Sequence, residues 1–509
     1  MIEYFRRRPL LLAAVAAVFL CVIGFYSNAA ILFLSAFLLV FLLGLLLIKA
    51  DPALIFSLFL LLPLCINLLA CRGRVERLST NNGAVLTGEF TVAEEPNEQS
   101  ALHSVILEAY DAPPLRAGER ILATGDFAGL RMADRTRVKL RLHTINEKFQ
   151  PRWFAENIYL RGTAEEVALT REDGDPVLCG VRRLRQAITG KLFANMGETE
   201  AATVLAITLG DRSYLSESFE GAVRAAGLSH VMVVSGMHLA VLVALILKCS
   251  GPAAGNPRLR FLLILFTVPA MAGICGFSKS ILRAGACALL FAVSLLFGRP
   301  HTPENTLGGA VILLLTAFPF LIFSVSFRLS ALSTLGIVCC ALPLIRYREA
   351  ARRKASPFRG FLFSSLMVSF SAMAFSLPVA LFVFGYFSTV SLITNLLITP
   401  AVTLLLSYTV IALLFSFLFP FLSSLLLAPA DLLAALINRA ILFFGGLPFA
   451  VVYTAPWENA VSFLLPAGEF GWMLFLKNRR QKQKKRILAD LRQKKAPPGP
   501  HRLPDYAKF

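Results

Sequence analysis

The sequence predicts a polytopic α-helical membrane protein of about 12 spans that carries an inserted small extracytoplasmic β domain, OB-like in its number of strands. Three observations lead there. Of 509 residues, 56% are hydrophobic and 16% charged, with a mean hydropathy of +0.68, whereas soluble domains run about 25% charged and about 45–50% apolar. Apolar runs near the roughly 20 residues that cross a hydrocarbon core recur on both sides of residues 72–190. That interval itself alternates apolar and polar residues in short runs broken by Gly, Pro, Asn and Asp, which is strand patterning.

The first spans fall at 10–27, 30–48 and 53–70. Arg6, Arg7 and Arg8 before an apolar run imitate a signal peptide, but further runs follow at once without a small-residue cleavage site, so a retained first span is expected. With that arginine cluster and Lys49 on the inner side, the third span exits outward and residues 72 to about 190 lie outside the cytoplasm. Strands are expected at Val85 to Ala93, His103 to Ala109, Arg120 to Gly125, Thr136 to Ile145 and Asn157 to Val167. In the fourth, Arg135, Arg137, Lys139 and Arg141 share one face with His143, opposite Val138, Leu140 and Leu142. This stripe is a candidate DNA-phosphate contact, with Phe149, Trp153 and Phe154 close by to stack bases; the solvated face of an amphipathic strand is the other reading.

Residues 181–226 are amphipathic and too polar to span, so helices at the membrane surface or capping the bundle are expected. Spans resume near 231–249, 261–277, 281–298, 306–323, 329–345, 360–384, 389–418, 421–446 and 459–476. Alternation then places Arg258, Arg260, Arg299, the Arg346 to Arg359 cluster and the C-terminal tail inside, as the positive-inside rule requires. The expected domains are N-terminal transmembrane helices (1–71), the β domain (72–180), connecting helices (181–230), a membrane domain (231–476) and a basic cytoplasmic tail (477–509). Both termini are expected in the cytoplasm.

The formal net charge is +19, and residues 477–509 hold twelve Lys/Arg against two Asp, a surplus of ten. Half of the excess therefore sits in one tail. Nine cysteines are scattered with no CxxC pair, which indicates no zinc site. Cys71 and Cys179 bracket the polar region and are a candidate disulfide in an oxidising compartment. No cofactor is expected.

The stretch Gly227-Leu228-Ser229-His230-Val231-Met232-Val233-Val234-Ser235-Gly236-Met237-His238 heads an apolar run. Uncompensated polar groups inside a bilayer cost several kcal/mol, so the cluster is a functional candidate. Ser235 and His238 share a helix face, which admits an intramembrane serine hydrolase with Asp211 as orienting acid, or a packing role with Gly236 allowing close helix approach. Lys279 and Arg283, four apart, would repel on one helix face unless something anionic or aqueous compensates; snorkelling to the interface is the alternative. Arg328 adds a third cation near the same outer side. Phe384-Gly385-Tyr386-Phe387-Ser388, Asn395 and Pro400 interrupt a further apolar region, as helix kinks or as openings of the backbone onto a cavity.

These blocks, in this order, resemble the ComEC family of competence proteins. The likeness rests on Asp211 in Leu209-Gly210-Asp211-Arg212-Ser213, on Gly227, Leu228, His230, Ser235, Gly236 and His238, on Arg283-Ala284, on Phe327-x-Leu329-Ser330, and on Asn395-Leu396-Leu397 to Pro400. The resemblance implies an inner-membrane channel that admits single-stranded DNA during natural transformation. It also implies a DNA receptor outside, an ATP-driven translocase inside and a separate nuclease. Many members end in a metallo-β-lactamase-like domain, but none of the six histidines here stands in an HxHxDH cluster. There is no phosphate-binding loop, since Gly190-Lys191 is followed by Leu192. No enzyme activity is therefore expected, and passage of a polyanion against an interior-negative potential, about 2.3 kcal/mol per charge per 100 mV, needs outside energy. A transporter of another anionic solute or polymer, and the serine hydrolase, are the competing readings.

Overall fold

The computed structural model describes residues 8–26, 38, 52–93, 104–127, 129–171, 175–232, 236–251, 255–275, 279–298, 302–351, 357–455 and 462–473. The expected second span and the basic tail lie outside these residues, as does part of the last span.

The first helix, α1 (Pro9–Tyr26), packs with α2 (Pro52–Phe59) and α3 (Leu61–Ser79) and lies along α11 (Pro303–Ala317). A Cβ on Gly308 would sit 2.5 Å from the backbone of Leu10, so a side chain there would push the two helices apart. At one end, Arg8 Nη2 bonds Glu304 Oε1 at 2.7 Å. At the other, Asn67 Nδ2 donates to the Thr316 and Ala317 carbonyls at 2.6 and 3.2 Å, two of the orphan acceptors of the α11 C-terminus.

Five strands follow: β1 (Val85–Val92), β2 (Ser104–Asp111), β3 (Arg120–Thr124), β4 (Arg135–Thr144) and β5 (Ile158–Arg171). They close a barrel in the order β1-β2-β3-β5-β4, with β3 and β5 parallel and β1 pairing back to β4. Period two fills its interior with Phe90, Leu107, Ile121, Val138 and Leu140, all buried. A short helix, α4 (Gln150–Phe154), joins β4 to β5. The barrel core continues into the helices: Phe25 packs on Phe154, Phe320 and Phe323 with ring centroids 5.9, 5.6 and 4.6 Å away. Glu119 at the start of β3 is held by Arg77 and Arg74 of α3.

The connecting region is α5 (Pro176–Asn195), α6 (Glu198–Leu209) and α7 (Glu217–Ala225). Asp175 caps α5 by accepting from the Val177 and Leu178 amides. Of the expected placements, at the membrane surface or capping the bundle, α6 takes neither a free surface nor a loose one. Every residue of α6 from Ala201 to Leu209 is buried against α15 (Ser391–Leu418) and α16 (Ser423–Gly445), and Thr203 Oγ1 donates to Asn438 Oδ1 at 2.9 Å. The charges of α6, Glu198 and Glu200, stand in its first turn, which leaves Ala201 to Leu209 uncharged and fit for a core.

The rest are α8 (Gly236–Cys249), α9 (Pro257–Ile274), α10 (Lys279–Leu296), α12 (Val325–Gly336), which runs through a π turn at Ile337–Ala341 into α13 (Leu342–Ala351), and α14 (Pro357–Phe384). Between α14 and α15, β6 (Tyr386–Ser388) pairs with β7 (Val451–Tyr453). Among the described residues seven helices are long and apolar enough to cross a membrane: α1, Ile55–Ser79, α9, Val325–Glu349, α14, α15 and Pro420–Gly445. The apolar helices α8 and Ser280–Leu296 are shorter, as is the 15-residue α11.

No disulfide joins Cys71 to Cys179. Cys71 is buried in the shared core beside Leu68 and Leu78, its thiol 3.9 Å from Asn67 Oδ1, while Cys179 is buried in the first turn of α5. Each thiol is taken up by a different helix, and the expected bridge is corrected.

Candidate functional site

Five helices form a ring in which each packs on the next: α8 on α10, α10 on α12, α12 on α14, α14 on α15, and α15 back on α8. The ring surrounds a cavity of about 1960 Å³. Its barrel end is identified by Phe320 and Phe323, which precede α12 and pack on the barrel. Contacts at Ser280···Ser326 (3.4 Å) and at Gly236, whose Cβ would lie 3.1 Å from Arg283 Nη2, bring the starts of α10 and α8 to that end. The start of α15 is tied to the segment leading into α8 by Ser388 Oγ and Thr394 Oγ1, which donate to the Ala225 and Ala226 carbonyls at 2.7 Å each.

Arg283 is 7% exposed, lines the cavity, and donates from Nε to Ser330 Oγ at 2.9 Å. Arg328 also lines it; its Nη2 reaches the Phe323 carbonyl at 3.5 Å, and its buried Nε has no hydrogen-bond partner. Neither guanidinium is ion-paired to a carboxylate among the described residues. A buried cation without a counter-charge is costly, so Arg283, with the half-buried Arg328 on the adjacent helix, needs an anion or water in the cavity. Gly236 lets α8 approach this pair: any side chain there would press on Arg283 and Ala284.

His230 is exposed into the cavity, and Asn395 lines it from α15. The Asn395 Oδ1 and Thr399 Oγ1 atoms, one turn apart on α15, are buried without hydrogen-bond partners. His238 is fully buried in the first turn of α8 and is not among the cavity-lining residues. Ser235 lies outside the described residues, as does the Lys279 side chain, so the Ser235–His238 pair and the Lys279–Arg283 pair have no geometry here. The Asp211 carboxylate accepts from Arg185 Nη2 at 3.2 Å and Ser213 Oγ at 2.6 Å. Arg185 in turn donates to the Ile274 carbonyl at 2.9 Å, so Asp211 is tied through it to the end of α9.

Sequence reasoning missed the cations at the cavity mouth. Lys148 comes from the barrel, Arg212 and Arg224 from either side of α7, and they stand with Arg152, Glu156 and Glu220. The available signal was in α7, where the Ser216 cap and the helical spacing of Glu220 and Arg224 set both on one face.

The barrel stripe is on the outer surface, as the alternation of β4 requires. Its charges are largely engaged. Lys139 Nζ lies 3.5 Å from Glu165 and 3.4 Å from Glu166, Arg141 binds Glu165 at 2.9 Å, and Arg135 stacks 3.6 Å above the Tyr110 ring. The Arg141 hydrogen bond holds the Glu165 carboxyl below its usual range, and Glu166 followed by Glu165 raises Lys139. Arg137 is exposed opposite Glu89.

Residues 207–480 match the family described as Competence protein. ComE operon protein 3 of Bacillus subtilis (strain 168) is similar, 23% identical over 223 residues. That alignment covers 44% of this chain and 27% of the relative's length. No solved structure matches. The family match begins within α6, four residues before Asp211, and takes in all five helices of the ring, more than half the chain, which therefore belongs to the competence protein family, that of ComEC.

Proposed function

We propose that this protein is an inner-membrane channel for uptake of single-stranded DNA in natural transformation. The observation that carries the reading is the pair of guanidiniums, Arg283 buried and Arg328 half-buried, facing one cavity inside a ring of apolar helices and ion-paired to no carboxylate among the described residues. A passing phosphate supplies the missing charge, and the hydroxyls of Ser330 and Ser369 further in are hydrogen-bond donors that hold a strand without cutting it, while those of Ser333 and Ser376 donate to the Leu329 and Ala372 carbonyls of their own helices. The lining from Val368 to Phe384 of α14 covers about 24 Å at 1.5 Å per residue.

In this reading the barrel is an OB-like extracytoplasmic domain above the mouth, about 12 spans cross the membrane, and both termini are cytoplasmic. An outer DNA receptor, a cytoplasmic ATP-driven translocase and a separate nuclease complete the system. The test is uptake of labelled DNA by competent cells with the gene deleted and then restored. Loss and recovery of internalised label is the expected result; undiminished internalisation in the deleted strain refutes the reading.

A further inference from the structure

The ring carries chemically different groups on different helices. Arg283 and Arg328 stand on α10 and α12. The α14–α15 junction closes the ring between α12 and α8. There Phe384, Tyr386 and Phe387 line the barrel end of the cavity, followed on α15 by Asn395 and Thr399. Phe384 is 50% exposed and its ring centroid lies 6.1 Å from that of Tyr386. Tyr386 is braced in turn by Tyr453 across the β6–β7 pair, again at 6.1 Å. The Asn395 Oδ1 and Thr399 Oγ1 atoms have no hydrogen-bond partners.

The Asn395 carboxamide is half-buried with its Oδ1 enclosed and unpartnered, and rotation of the amide offers that oxygen to a group in the cavity with matching donors. A phosphate has acceptors only and cannot satisfy Oδ1. A nucleobase can, because its edge carries N–H donors as well as acceptors, and its face stacks on aromatic rings whatever its identity. Resting on the channel reading, we infer that this junction is a nucleobase-binding wall. The strand enters oriented, with phosphates toward Arg283 and Arg328 and bases toward Phe384, Tyr386, Phe387 and Asn395. A duplex has its bases paired and stacked internally and presents nothing to this wall, so the wall selects single strands by chemistry. Sequence selectivity is absent, since stacking tolerates every base and the amide can rotate to offer donor or acceptor.

The test is fluorescence anisotropy of the purified full-length chain in detergent with three labelled probes: a thymidine 20-mer, an abasic 20-mer of equal charge, and a 20-bp duplex. The parent protein is expected to bind the thymidine strand about tenfold or more tighter than the abasic strand, the order of one to two base stacks. Phe384→Leu and Asn395→Ala should each bring that ratio toward one without weakening abasic binding, while Arg283→Gln weakens both strands alike. Phe384 is half exposed, so its substitution keeps the inference testable even where Asn395→Ala impairs folding. Equal binding of thymidine and abasic strands by the parent overturns the wall and leaves the channel. A ratio unchanged by both substitutions also overturns it. Failure of the parent to bind any strand refutes the channel reading itself.

Discussion

Replacing Arg283 with leucine should separate function from stability. The guanidinium is 7% exposed and its hydrogen bond to Ser330 at 2.9 Å is made to a neutral hydroxyl. Removing a buried charge in favour of an apolar group is commonly neutral or stabilising by about 1–4 kcal/mol, against about 1 kcal/mol for the bond lost by Ser330. The net effect on unfolding is thus near zero or favourable. A phosphate that meets the guanidinium in transit loses a charge-assisted bond of about 1.5–3 kcal/mol, a factor of roughly 10 to 150 in occupancy. Transformation frequency of a strain carrying Arg283→Leu should fall at least tenfold, while the purified variant melts no more than a few degrees below the parent. A variant that melts far lower places Arg283 in the scaffold, and one that takes up DNA within twofold of the parent makes it an interfacial anchor. Either result refutes the reasoning.

Four further outcomes follow from other parts of the molecule. Glu165→Gln with Glu166→Gln releases Lys139 and Arg141, so DNA affinity of the full chain should rise and its log–log salt slope steepen by about 0.7 per new phosphate contact; an unchanged slope removes the stripe from the DNA path. Acid should act the same way: the depressed Glu165 pKa means that the pair is intact above the ordinary carboxylate value of 4.5 and is lost as pH falls through the still lower folded value, so stripe-dependent binding should increase only well below pH 4.5, and a transition above it contradicts the pairing. Gly227→Ala should cost about 2–4 kcal/mol in thermal unfolding, because φ is +73° and the new Cβ meets the Cβ atoms of Ser391 and Ser388. His238→Asn should keep measurable uptake, since the ring is buried outside the cavity lining; labelling of Ser235 by a fluorophosphonate that disappears in this variant restores the serine hydrolase instead.

The barrel was legible because a closed sheet has one interior and one exterior. Val138, Leu140 and Leu142 must point inward, so Arg135, Arg137, Lys139 and Arg141 point outward, and the five expected strands fall within a few residues of those observed. What alternation could not show is which residues stand opposite the stripe. Glu165 and Glu166 are more than twenty residues away in sequence and become neighbours only through the β4–β5 register. The ring was hidden for a different reason. A helix that meets lipid on one side and other helices on the next is apolar all round, so α12 and α14 show no amphipathic stripe to mark the cavity face. Only their isolated polar residues could be read, and Arg283, Arg328 and Asn395 were conspicuous because an apolar helix has few other places to put them.

The spacing of those residues is itself a consequence of the ring. Gly236, Arg283 and Arg328 are 47 and 45 residues apart, and Asn395 follows 67 later. Each sits near the start of a helix that enters from the barrel end. To present another start at that end, the chain must run down one helix and return along another. Two helices of about 18 residues with their turns consume roughly 45 residues. The longer last interval holds Val325–Glu349 and the 28-residue α14, whose return stroke brings Phe384 back to the same mouth. Polar residues at this period are what a ring of down-strokes around one opening requires. Helix-packing polar groups need no such period, because a pair can meet at any depth.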